Sequence, residues 1–175
     1  GVDVLVNNVG GAPPGVPLPR SSFFDANDDD WRAVLELNLF AAVRASRAAI
    51  PLMLEGGGGA IVNVSSGNAR KPSPVNVDYG TAKAAMNNLT KALSEEFGPQ
   101  GIRVNTVSPG PVRTPWWTDD GGAADIFAAQ AGTDRDTVLT TVAPQAMGLI
   151  TGRLVDPQEI ADVVAFLASP RSAST

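Results

Sequence analysis

The stretch Ala60-Ile61-Val62-Asn63-Val64-Ser65-Ser66 decides the reading of this 175-residue chain. A β-branched apolar run that ends in small polar residues reads as a buried strand passing into a loop. Two similar runs flank it. Upstream, Val2-Asp3-Val4-Leu5-Val6 stops at Asn7-Asn8-Val9-Gly10-Gly11. Downstream, Ile102-Arg103-Val104-Asn105-Thr106-Val107 is closed by Ser108-Pro109-Gly110-Pro111. Helical patterns fill the intervals. Asp28-Asp29-Asp30 places negative charge in a first turn, where it favours the helix dipole. Trp31, Val34, Leu35, Asn38, Ala42, Ala45 and Ala49 follow at helical spacing. Pro51 is expected to bend or weaken the end of this helix, predicted over 28–54, and Gly56 to Gly59 end it. A second helix is predicted over 79–97, with Ala82, Ala85, Met86, Leu89 and Leu93 as its stripe and Gly98-Pro99 as its stop. Residues 112–151 read as irregular with weak helical stretches. Asp156-Pro157-Gln158-Glu159 is a strong start for a last helix: cap, proline at the first position, glutamate three after the cap. Strands alternating with helices predict an α/β fold, a doubly wound parallel sheet covered on both faces.

Composition narrows the chemistry. The chain has no cysteine and no histidine. That removes disulfides, thiolate nucleophiles, Ser-His-Asp triads and Cys- or His-based metal sites, so no metal is expected. Chemistry must rest on Ser, Tyr, Lys, Arg, Asn and carboxylates, or on a cofactor. The net charge of −5 argues against a nucleic-acid partner, which needs a basic surface. No apolar run approaches the roughly 20 residues needed to span a bilayer, and no signal-peptide pattern opens the chain. A cytoplasmic protein with no membrane partner is expected. The length suits one domain.

Ligands of open parallel sheets bind beyond the carboxyl ends of the strands. Here three strands end in Asn7-Asn8-Val9-Gly10, Ser65-Ser66 and Ser108-Pro109-Gly110. Ordinary turn composition accounts for each singly. The second helix carries a sharper signal. Tyr79 is the only tyrosine, and Lys83, one of three lysines, lies four residues on, on the same helix face. A phenol titrates near pH ~10 and exchanges protons poorly at neutrality. A nearby ammonium lowers that value. A surface Tyr–Lys pair gives the same spacing. Asn38, a polar residue on an apolar stripe, either bonds neighbouring backbone or meets ligand or water. A hydrolase using Ser66 with Lys83 as base is a further reading, but it leaves Tyr79, Asn38 and Pro109-Gly110 unexplained.

Taken together these segments resemble the short-chain dehydrogenase/reductases of the Tyr-x-x-x-Lys branch. The matching pieces are Asn7-Asn8-Val9-Gly10, Asn38-Leu39, Ile61-Val62-Asn63-Val64-Ser65-Ser66, Tyr79-Gly80-Thr81-Ala82-Lys83 and the run from Ile102 to Thr114. They occur in the family's order and cover nearly the whole chain. The resemblance implies an NAD(P)-dependent oxidoreductase acting on an alcohol or ketone, with NAD and NADP as alternatives. It implies Tyr79 as general acid/base and Ser66 as holder of the substrate oxygen. Lys83 would lower the Tyr79 pKa and bind the nicotinamide ribose, and Asn38 would position a water behind it. Asn8, Val9 and Gly10 would line the adenosine ribose. Pro109, Gly110, Val112 and Thr114 would hold the carboxamide end. Residues 112–151 would form a substrate lid, with Asn68, Trp116 and Trp117 near the substrate. A homodimer or homotetramer is implied, with the alanine-rich helices 28–54 and 79–97 packing across an interface. A non-catalytic scaffold lacking cofactor binding is the alternative.

The family's phosphate-binding glycine turn does not occur in these residues. In family terms the chain begins at the fourth strand and stops before the seventh, with roughly 60 residues expected upstream. The sheet is then an incomplete Rossmann-like fold, without the first three strands and the last. Its first strand is expected to be an exposed apolar edge, and the chain by itself poorly stable, weak in cofactor binding and inactive. The loop between Gly10 and Asp28 is longer and richer in proline than the family's usual one.

Overall fold

A computed structural model describes residues 1–17, 19–20 and 22–175. They form two compact units, Gly1–Ser108 with Val163–Thr175, and Pro109–Asp162.

In the first unit, β1 (Val4–Asn7), β2 (Gly59–Val64) and β3 (Ile102–Val107) make a parallel sheet in the order β1-β2-β3. Two crossover helices join them: α1 (Asp28–Glu55) and α2 (Val77–Phe97). Asn27 opens α1 with a capping box. Its side chain accepts from the Asp29 and Asp30 N–H groups, and Asp30 accepts from its backbone. The helix passes through a π turn at Glu36–Phe40 and continues across Pro51 to Glu55. Both crossovers step in the same direction, so right-handed connections put both helices on one face of the sheet. There Ala49, Ile50 and Met53 pack with Ile61, Ile102 and Val104, joined by Leu93 and Phe97. Met53, Ile61 and Ile102 are wholly buried, and burying a side chain of this size contributes roughly 1.5–3 kcal/mol.

The sheet's pleat sends alternate residues to the opposite face. There Ala60 and Val62 are buried, and Arg103 donates to the carbonyls of Leu167 and Ser169. Val4 and Val6, in register with Ala60 and Val62, are instead 43% and 41% exposed. The exposed apolar edge expected for the first strand is therefore present.

A polar ladder crosses the buried side of the sheet. Asn7 Nδ2 donates to Ser46 Oγ and Asn63 Oδ1, Asn63 Nδ2 donates to Thr90 Oγ1, and Thr106 Oγ1 donates to Thr90 Oγ1. It ties α1, all three strands and α2 together in the layer just below the strand ends.

Three expectations change. First, α1 is long and apolar enough to cross a membrane by length and composition, with a mean hydropathy of 1.3 over its most apolar window. Alternating alanines and isolated charges hide this from a search for unbroken apolar runs. One face of the helix packs into the core through Val34, Ala42, Ala49, Ile50 and Met53, while Phe40, Leu52 and Leu54 are exposed. Second, the alanine faces proposed for an interface are partly used inside the chain, because Ala42, Ala49 and Ala82 are buried. Third, the region read as irregular is mostly helical. It holds α3 (Pro115–Thr118), α4 (Ala123–Ala131) and α5 over residues 135–146, with a π turn at Val138–Val142. Its core mixes Trp117 with Ala123, Ala124, Ala128, Val138, Leu139, Ala143 and Leu154. Alanines give weak amphipathic contrast, which is why the helical period was hard to see.

The last helix, α6 (Pro157–Ala168), starts as its sequence predicts. Asp156 accepts from the Gln158 N–H, and Glu159 accepts from the Asp156 N–H.

Candidate active site

Parallel pairing sets Asn7 beside Asn63 and Val64 beside Val107, so the three strands end on one edge. The segments after β1 and β2 therefore meet the first turns of α2. Ser66 caps a short 3-10 turn at Gly67–Ala69, and its Oγ accepts from the Asn68 N–H. The Ser66 hydroxyl lies near enough to the Tyr79 phenol to influence its titration. Gly80 lies close against the Asn68 carbonyl, at 3.3 Å from where a Cβ would stand, so the turn and the helix pack tightly.

Lys83 is 2% exposed. Its Nζ donates to the Val64 carbonyl at 2.9 Å, and its own carbonyl accepts from Ser65 Oγ at 3.0 Å. The side chain is thus pinned to the end of β2. Nζ stands 5.8 Å from the centroid of the Tyr79 ring. Among the described residues it donates to one carbonyl, which leaves two of its three N–H groups for hydroxyl acceptors.

Burial shifts both groups. It raises the Tyr79 phenol above its ordinary value, and Ser66 pulls partly the other way. It lowers Lys83 to about 8. Tyr79 and Lys83 thus stand one helical turn apart, both shifted by burial at the strand ends.

The lysine shift makes a stability prediction. Between pH about 8 and the ordinary lysine value near 10.4, the unfolded chain holds a proton that the folded chain has released. Stability contributed by this group therefore rises with pH across that window. The unfolding free energy of the native protein, minus that of Lys83→Met, is expected to increase from pH about 7.5 to about 9.5 in urea titrations. A flat difference would refute the assignment.

Asn38 lies at the centre of the π turn and is wholly buried. Its Nδ2 donates to the Gly11 and Val34 carbonyls, and its Oδ1 accepts from the Gly11 N–H. The side chain is occupied in clasping the turn after β1, which is the backbone-bonded alternative foreseen for it. The same turn approaches Lys83. A Cβ on Gly10 would stand 2.8 Å from both Asn38 Oδ1 and Lys83 Nζ. Asn8 and Val9 are exposed beside it.

The first unit thus brings together Asn8, Val9, Gly10, Asn38, Ser66, Asn68, Tyr79 and Lys83 around the ends of β1 and β2. Ser66 and Lys83 share no hydrogen bond among the described residues, so nothing supports a Ser–Lys hydrolase. The other candidates lie in the second unit. Val112 forms a lone bridge with Val155, and Arg113 donates its N–H to the Val155 carbonyl. Thr114 opens α3, while Pro109 and Gly110 precede that bridge. Trp116 is 51% exposed and remains available as a surface. Trp117 is not: it is 3% exposed and stacks on Phe127 in the core, so its role is packing rather than substrate contact. Sequence reading overlooked the Asn7–Asn63–Thr90 ladder, although an asparagine inside an apolar strand was its signal.

A parallel α/β sheet with a phenol, an ammonium and a hydroxyl gathered at its carboxyl edge has the Rossmann-like arrangement, in which ligands sit beyond the strand ends. Comparison with known proteins agrees. A family model described as enoyl-(acyl carrier protein) reductase matches residues 1–175. The short-chain reductase protein NovJ of Streptomyces niveus is 36% identical over 98% of this chain and 59% of its own length. A 3alpha-hydroxysteroid dehydrogenase of Mediterraneibacter gnavus is 34% identical over 96% of this chain and 58% of its own. The structure of L-sorbose reductase from Gluconobacter frateurii, complexed with NADPH and L-sorbose, superposes with a TM-score of 0.85 at 33% identity, covering 98% of this chain and 61% of that one. The chain belongs to the short-chain dehydrogenase/reductase family. It spans about three fifths of the length of these relatives, and its three-stranded sheet is an incomplete Rossmann-like fold relative to them.

Proposed function

We propose that the protein is an NAD(P)-dependent oxidoreductase that interconverts an alcohol and a ketone or aldehyde, with Tyr79 as the proton-transfer group. The observation that carries this is a buried, anchored Lys83 whose Nζ stands 5.8 Å from the Tyr79 ring, with Ser66 close to the phenol at the same strand end. The residues present suit a nicotinamide cofactor. Lys83 has spare N–H groups for ribose hydroxyls, and the turn Asn8-Val9-Gly10 offers exposed backbone at a strand's carboxyl end. When bound, the nicotinamide supplies or takes the hydride.

The chain's own part is the proton and the oxygen. Ser66 Oγ and the Tyr79 hydroxyl converge, so a substrate oxygen placed between them accepts two hydrogen bonds. Tyr79, held protonated by burial, is the donor needed when a carbonyl is reduced. Lys83 holds positive charge one helical turn away, where it stabilises negative charge developing on the phenol. By the family resemblance, Pro109, Gly110, Val112 and Thr114 serve the carboxamide end, residues 112–151 act as the lid, and the complete protein is a cytoplasmic homodimer or homotetramer. Asn68, next to Ser66, and exposed Trp116 are proposed to contact substrate.

The test is consumption of NADH or NADPH, followed by absorbance, with the full-length protein and a panel of ketones and aldehydes. Turnover that requires nicotinamide is the expected result. Ester hydrolysis without it would overturn the reading.

A further inference from the structure

The proline-rich loop between β1 and α1 does more than connect them. Its Arg20 is buried, with 3% of its side chain exposed, and it reaches Asp78, itself 1% exposed, at 2.6 Å. The same guanidinium contacts Asp30 in the first turn of α1 at 3.3 Å and the Asp25 carbonyl at 3.4 Å. The Arg20 N–H donates to the Val75 carbonyl, so the loop is fastened twice to the segment that leads into α2. Asp78 is the residue immediately before Tyr79, and its Oδ1 accepts from the Tyr79 N–H at 2.9 Å. This bond matters because the helix lacks the usual cap: Asn76 makes no side-chain capping bond. The first N–H groups of a helix have no intrahelical acceptor. Here the Asp78 carboxylate supplies one, at Tyr79 itself.

A buried carboxylate is tolerated when a countercharge meets it, and a planar guanidinium can hold it in one orientation. The geometry points to Arg20 as a positioning residue for Tyr79, acting through Asp78 to hold the first turn of α2 so that the phenol faces Ser66. This deepens the proposed function and rests on Tyr79 being the proton-transfer group. Neither Arg20 nor Asp78 needs to touch substrate or cofactor for it to hold.

Two readouts test it in the full-length protein. The first does not depend on turnover. The protein is grown with 3-fluorotyrosine, and the Tyr79 fluorine resonance is assigned by its loss in Tyr79→Phe. Arg20→Gln is expected to shift or broaden that resonance, with Arg20→Lys intermediate because it keeps the charge and loses the fork. Asp78→Asn should disturb it as well, and it carries the test if Arg20→Gln does not fold. The second readout is kinetic. Misplacing a catalytic group by about 1 Å costs up to a hundredfold, so kcat of Arg20→Gln should fall about tenfold, with cofactor Kd within about twofold of the native value. An unchanged resonance in folded Arg20→Gln and Asp78→Asn would overturn the proposal. So would a cofactor affinity that falls in step with kcat, since that marks general loosening. If the native protein shows no nicotinamide-linked turnover while the resonance still moves, the functional reading fails and the strut stands.

Discussion

Replacing Tyr79 by phenylalanine is expected to lower nicotinamide-linked turnover by about a thousandfold, since a positioned acid or base contributes roughly 10²–10⁴. The substitution removes one oxygen and leaves the ring that Lys83 faces at 5.8 Å. Ser66 keeps its hydrogen bond from the Asn68 N–H. Folding and cofactor binding should therefore be preserved, and the loss should fall on kcat. The measurement is steady-state consumption of reduced nicotinamide, paired with cofactor affinity by fluorescence. A variant within tenfold of the native rate would place the proton transfer elsewhere. No second tyrosine or histidine in this chain could take over.

Gly10→Ala is expected to lower kcat/KM by about ten- to a hundredfold, because small displacements of reacting groups carry penalties of that order. The added methyl would stand 2.8 Å from Asn38 Oδ1 and equally close to Lys83 Nζ. Asn38 is held by three hydrogen bonds and has little room to yield. The ammonium, at the free end of a flexible chain, is the group that moves. It would leave the Val64 carbonyl and lose its place beneath the phenol. Titrating activity against cofactor concentration separates this from unfolding: KM for the cofactor should rise while the thermal transition shifts only slightly. A normal KM with normal kcat would show that the turn after β1 can open without cost to Lys83.

The exposed strand face at Val4 and Val6 bears on how such assays are run. An unpaired apolar edge is a template for self-association. The chain spans about three fifths of the length of the relatives it matches, so kinetic tests belong on the full-length protein.

Much of the candidate site is legible in the sequence, for local reasons. The Tyr79–Lys83 spacing is a property of one helix, and four residues always bring two side chains to one face. Ser66 and Asn8 follow strands whose β-branched runs are readable, and parallel strands bring their carboxyl ends together. The acidic first turn of α1 and the capping box at Asp156 are likewise local signals, and both helices begin where those signals stand. Other features resisted reading because they depend on residues far apart in the chain. Trp117 looked like a wall for substrate, and whether it faces a pocket or a core depends on Phe127 and the alanines of α4. Arg20 sat in a loop with no periodicity, and its partner lies 58 positions away.

By itself, then, the sequence determined the order of strands and helices and which side chains stand one helical turn apart, since these follow from short-range periodicity, and its matching segments carried the resemblance to the family. Tertiary structure alone decided what each of them bonds to and how it titrates. Asn38 clasps Gly11, Lys83 is pinned to the Val64 carbonyl beside the Tyr79 ring, and burial raises the phenol. Hydrogen-bond partners and desolvation are set by groups that only folding brings within a few ångströms, and no local pattern encodes them.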